Sequence, residues 1–200
     1  MTSFRRLRVL LLIGTLAMLW QPDSIEPQTL DLVAQGRQAL DAGRVDDAIA
    51  LLEKAVSADG KNPAALAWLG SAQVRKASQV GGMEAAGWVK RGFDALDEAV
   101  ERFPDAFVVY VVRGSTAGRV PPMFNKTEVA VKDLGTVVAM KERRPDTVPD
   151  GVMPLVYLNL GLAQKKAGRP ADARAAWEKG RRLYPAAPEA AAIDRELKGL

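Results

Sequence analysis

The sequence predicts an all-α chain in which about four helix pairs stack into a solenoid. Three observations carry that expectation. Small residues recur at fixed steps: Gly70 lies 34 residues after Gly36, and the twelve-residue step from Gly36 to Ala48 returns between Gly161 and Ala173. Self-similarity at such a period marks a repeat architecture. Alanine is abundant, only 6% of residues are aromatic, and β-branched residues gather in a few short runs, a composition that favours helix. Helix punctuation also falls where the repeat needs it. Asn62-Pro63 reads as an N-cap with proline in the first turn, and Gly43 in Asp41-Ala-Gly43-Arg44 suits a left-handed helix end.

Taken in order, residues 1–20 have the layout of a signal peptide or membrane anchor. Arg5, Arg6 and Arg8 form a positive tip, and residues 9–20 an apolar run of twelve. A spanning helix needs about 20 residues, so the length suits a signal core. The lack of an Ala-x-Ala site behind it favours retention as an anchor. Either reading exports the body of the chain, to the periplasmic face of the inner membrane, or to the periplasm if the segment is cleaved. Residues 21–28, with two prolines and two acids, read as a linker.

The first repeat, about 29–62, carries Leu32, Gly36 and Ala39 on one helix and Ala48, Leu52 and Ala55 on the next. The second, about 63–106, carries Leu66, Leu69 and Gly70. Its partner helix arrives some ten residues late, with Gly81-Gly82 as a break, a lengthened helix from Met83, and Gly92, Leu96, Ala99 and Pro104 in mutual register. The third, about 107–147, opens on Phe-Val-Val-Tyr-Val-Val, which reads as a strand on propensity alone. Pro104, Tyr110 and Gly114 keep the repeat register, however, and a lone strand among helix pairs would lack a partner, so helix is expected. Residues 115–126, containing Pro121-Pro122-Met123-Phe124, are irregular. Asn125-x-x-Glu128 then resembles a capping box for a helix over about 127–143, in which Val137, Met140 and Pro145 take second-helix spacing. After an interruption at 146–153 comes the cleanest copy, 154–187. Residues 188–200 form a capping helix with Ile193 and Leu197, covering the face that a last repeat leaves without a neighbour.

The fourth copy reads Tyr157, Leu160, Gly161 and Gln164, then Ala173-x3-Trp177 and Pro185. It resembles the tetratricopeptide repeat, W-x2-L-G-x2-Y…A-x3-F…P. Tyr157 stands at the Trp place and Trp177 at the Phe place, while Gln164 departs from the last aromatic. The resemblance implies a right-handed solenoid of bacterial type. It also implies a non-enzymatic scaffold or adaptor that binds a peptide or helix of another envelope protein in its concave groove. Carried over residue by residue, the groove takes Val33, Arg37, Leu40 and Asp41 from the first repeat and Ala67, Ser71, Val74 and Arg75 from the second. Val111, Ser115 and Arg119 come from the third, and Leu158, Leu162, Lys165 and Lys166 from the fourth. Such a groove is apolar with a basic rim, on which Arg37, Arg75 and Lys166 could pair with acids of an extended peptide or serve only as solubilising residues. One subgroup grips a C-terminal carboxylate with a Lys, Asn and Arg clamp. Here Val33, Arg37 and Trp68 occupy its Lys and two Asn places, so that clamp is not present in that form. Met123 and Phe124 could be an exposed apolar anchor or tuck beneath their loop.

Several functions are disfavoured by what the chain contains. Cysteine and histidine are both absent, which removes disulfides, thiolate chemistry, zinc sites built on them and any triad with a histidine base. The net charge of +4 lies mostly in Arg5, Arg6 and Arg8, leaving about +1 for the rest, too little for a nucleic-acid surface. Gly81-Gly82 lacks a flanking strand and the Gly-x-Gly-x-x-Gly pattern of a nucleotide loop. Asp46, Asp47, Asp94, Asp97, Glu98 and Glu101 read as solvated helix faces. No catalytic, metal or cofactor constellation is expected. Two rivals to the adaptor are a self-assembling homo-oligomeric platform and an assembly factor for an envelope or cofactor-containing enzyme complex.

Overall fold

The computed structural model describes residues 27–200. Nine α-helices, and no strand, occur among the described residues: α1 (Pro27–Asp41), α2 (Val45–Ala58), α3 (Pro63–Lys76), α4 (Gly82–Arg102), α5 (Phe107–Arg119), α6 (Thr127–Arg143), α7 (Met153–Lys166), α8 (Pro170–Leu183) and α9 (Ala190–Lys198). The expected signal or anchor at 1–20 and most of the linker at 21–28 lie outside the described residues. Residues 27 and 28 belong to α1 and not to a linker.

The helices pack as four successive pairs, α1 with α2, α3 with α4, α5 with α6 and α7 with α8, and α9 covers the last pair. The first members also touch one another in sequence, so α1, α3, α5 and α7 form a continuous inner row. Each pair crosses at a glycine of that row. A Cβ placed on Gly36 would lie 2.7 Å from Leu52, on Gly70 2.6 Å from the Gly92 carbonyl oxygen, on Gly114 2.9 Å from Leu134, and on Gly161 2.2 Å from the Trp177 indole. Cβ atoms do not approach other groups so closely, and only glycine lets these backbones meet. Leu52, Leu96, Leu134 and Trp177, the large side chains at the four crossings, are all fully buried, so each crossing anchors a share of the core.

Local chemistry explains several helix ends. The Asn62 side chain accepts from the N–H groups of Ala64 at 3.0 Å and Ala65 at 3.2 Å, satisfying donors that α3 leaves open. Gly43 (φ 75°) and Gly168 (φ 74°) adopt the left-handed conformation between the helices of the outer pairs. The Val- and Tyr-rich stretch at 107–112 is helical. Its Tyr110 hydroxyl donates to the Pro104 carbonyl at 3.1 Å, and packing on both neighbouring cores overrides strand propensity.

Two local expectations need correction. Asn125 does not open a capping box. It adopts a left-handed conformation (φ 52°) as the end of the 3-10 turn Pro122–Phe124, Lys126 holds the N-cap place, and no side chain caps α6. Glu128 instead receives both its hydrogen bonds from Arg169, at 2.7 and 2.8 Å. Within α6, the residue opposite Gly114 is Leu134, one turn before the Val137 that spacing from Pro145 singles out. The helix carries an extra turn, with 17 residues against 14 in α2 and α8.

Candidate partner-binding surface

The inner row places the groove residues together and grades their exposure. Val33, Leu40, Ala67, Ser71 and Val74 are buried; Val111, Ser115 and Leu158 are half-buried. Small residues at 67 and 71 let adjacent inner helices close up, and two polar contacts fasten them. The Thr116 hydroxyl donates to Ser71 Oγ at 2.9 Å, and Asn159 Nδ2 donates to Ser115 Oγ at 3.0 Å. Much of the apolar lining expected from the sequence is therefore core. Arg37, Asp41, Arg75, Arg119, Leu162, Lys165 and Lys166 remain exposed.

The exposed cations are not equivalent. Arg37 stacks its guanidinium 4.8 Å from the centre of the Trp68 ring, a cation–π contact. Lys165 pairs with Glu196 of α9 at 3.0 Å. Lys166, expected on the basic rim, donates to the carbonyls of Gly118 at 3.1 Å and Val120 at 2.6 Å. It satisfies acceptors at the end of α5 from the following pair, and the helix dipole favours a cation there. Arg75 and Arg119 have no ionic or hydrogen-bonding partner for their side chains among the described residues. Both stand five residues after their repeat's glycine.

On the outer side, Phe124 and Met123 part company. Phe124 is half-buried against the core of α4 and α5, whereas Met123 is 79% exposed. A cluster that the sequence reading passed over lies nearby. Arg113 on α5 makes a two-pronged bond to Asp133 on α6, Nε at 2.7 Å and Nη2 at 2.9 Å, and its Nη1 reaches Asp97 on α4 at 2.8 Å. Asp133 is fully buried. Burial pushes its carboxyl pKa up, and Arg113 only partly offsets this. For Arg113, burial works downward, but Asp133 and then Asp97 outweigh it and raise the pKa. The one hint in the sequence is that Asp133 falls, counting back from Pro145, at the small-residue place held by Ala48, Gly92 and Ala173 in the other repeats.

The profile of the tetratricopeptide repeat matches residues 39–77, from the last turn of α1 to the end of α3. Residues 39–77 match the tetratricopeptide repeat, and the described residues fold as a helical solenoid of that kind. Solved structures of similar fold include a MamA mutant, 25% identical, with 84% of this chain and 83% of that one covered and a TM-score of 0.52. MamA MSR-1 is 24% identical over 86% and 84% of the two chains, with a TM-score of 0.54. TTC0263, a thermophilic tetratricopeptide protein of Thermus thermophilus, is 18% identical over 84% and 98%, with a TM-score of 0.51. No curated protein matches the chain significantly.

Tetratricopeptide folds serve in general as protein-interaction scaffolds. Among the described residues, no helix is long and apolar enough to cross a membrane, and no group of three acids could hold a metal ion.

Proposed function

We propose that the chain is a non-enzymatic adaptor at the cell envelope, holding a peptide or helix of another protein against the inner row of helices. The observation that carries this reading is the repeated place of Arg75 and Arg119, exposed and unpartnered along the row, with Arg37 held out on Trp68. These three orient an acidic segment, while Val111, Leu158 and Leu162 supply apolar contact. Arg119 takes the rim part expected of Lys166, whose ammonium is engaged with α5. Each rim contact is worth about 0.2–1 kcal/mol, so they select orientation more than they supply affinity. The envelope location rests on the sequence of residues 1–20.

The test is in-cell crosslinking of the C-terminally tagged full chain, with identification of what co-purifies from membrane and soluble fractions. One dominant envelope protein is expected, with affinity reduced when Arg37, Arg75 and Arg119 are all changed to Ser and helicity is retained. Unchanged affinity would remove the inner row as the working surface. A second reading is the self-assembling platform, in which repeats stack between copies of the chain. Recovery of the chain alone, with concentration-dependent size in X-ray scattering, would decide for it.

A further inference from the structure

Two of the interruptions of the repeat meet in space. The first lengthens α4 to 21 residues and carries Met83; the second contains the Pro122–Phe124 turn and carries Met123. At 93% and 79%, these methionines are the most exposed large apolar side chains among the described residues. Ala86, Val89 and Phe93 of α4 and Phe124 of the turn line a cleft of about 210 Å³ between the two insertions. Met83 lies one turn before Ala86 and so shares the cleft-lining face of α4, while Met123 directly precedes Phe124. The volume is below the roughly 300 Å³ at which small-molecule sites begin and suits a single large side chain.

The charges around the cleft are selective. Asp94 is paired with Lys90 at 2.7 Å and Asp97 with Arg113 at 2.8 Å. Lys126 lies 4.3 Å from the centre of the Phe93 ring. Among the described residues it is the one charge lining the cleft without an ionic partner. Single exposed apolar residues are ordinary on a surface. Two exposed methionines from separate insertions, each within three residues of an apolar side chain lining one cleft, with a cation that has no ionic partner beside it, are not explained that way. Methionine adapts its shape to what it contacts, and an anchor side chain in a pocket is the usual centre of an interface.

We propose that this cleft is a second docking site, independent of the inner row. It takes a segment of another protein that inserts one leucine- or phenylalanine-sized side chain between Met83 and Met123 and sets a carboxylate against Lys126. A benzoylphenylalanine placed at residue 123 of the full-length chain in cells, with a parallel probe at residue 162 reporting on the inner row, tests it. The crosslinked segment is mapped, synthesised and titrated against the purified full-length protein. The expected result is a segment with Leu or Phe within one turn of Asp or Glu. Its affinity should fall roughly tenfold in Met83→Ser/Met123→Ser and again in Lys126→Glu, with unchanged circular dichroism. An adduct only to a second copy or to lipid, no adduct at residue 123, or equal affinity for the variants overturns the proposal. The probe at residue 162 succeeds or fails on its own, so the two surfaces are judged separately.

Discussion

At the crossing of α7 and α8, Gly161 faces the Trp177 indole, whose Nε1 donates to the Leu158 carbonyl at 3.1 Å. At the crossing of α5 and α6, Gly114 faces Leu134 and the Cβ of Asp133, whose carboxylate is gripped by Arg113. The first joint is filled by one aromatic side chain, which packs within its own pair and against Ile193 of the capping helix α9. The second ties three helices from two pairs. The difference matters because apolar contact is tolerant of small displacement, whereas a forked guanidinium bonds in one geometry. Replacing a buried ion pair by apolar groups is often neutral or stabilising, so its value lies more in specifying an arrangement than in strength. We infer that the ionic joint sets how the third pair sits on the second.

The largest expected effect breaks that joint from one side. Asp133→Leu leaves Arg113 with only the exposed Asp97 and should cost about 3–5 kcal/mol, read as a fall in denaturation midpoint. The double change Arg113→Met/Asp133→Leu should recover most of that stability while altering the scattering profile. A double variant as unstable as the single one would mean that the cluster supports the fold and does not specify it. Next comes the aromatic joint. Gly161→Leu would drive a side chain into Trp177 and should cost about 1–3 kcal/mol or more by overpacking. A melting temperature equal to wild type would remove the glycine register as the basis of the pairing.

A smaller effect probes the link between the two regions. Lys166→Met deletes the donor to the end of α5 and should cost about 1 kcal/mol, with faster amide exchange in the last turn of α5 but not in α8. The smallest is a pH effect on the fourth pair. The Tyr184 phenol is pushed up to about 12, first by burial and then by its hydrogen bond to Asp150. A raised acid favours folding fully below its ordinary value of 10.0 and loses that contribution as pH climbs to about 12. Phenolate absorbance should show this late ionisation, and Tyr184→Phe should remove one phenol's share of it, leaving that of Tyr157, which burial also raises.

The two joints also differ in how far they could be read in the sequence. Gly36, Gly70, Gly114 and Gly161 announce the crossings because a backbone contact tolerates no side chain, so the constraint is written at one position per repeat. The extra turn of α6 is hidden because spacing from Pro145 fixes the end of that helix and not its start. The ionic joint leaves no local motif, since Arg113 meets partners 16 and 20 residues away. Only an acid at a place otherwise held by Ala or Gly betrays it. Lys166 looked free because nothing in its own repeat reveals that the carbonyls of Gly118 and Val120 end beside it. The capping box at Asn125 failed because the 3-10 turn before it demanded a left-handed residue, which asparagine tolerates.

The unequal lengths of the inner and outer helices have a consequence for how such a chain can be altered. The inner helices run 15, 14, 13 and 14 residues, whereas their outer partners range from 14 to 21. The inner row acts as a ruler of nearly constant gauge, and extra length is displaced to the outside. An engineer could redraw the outer strip around Met83 and Met123 while the ruler keeps its marks, or regraft the row without disturbing the strip.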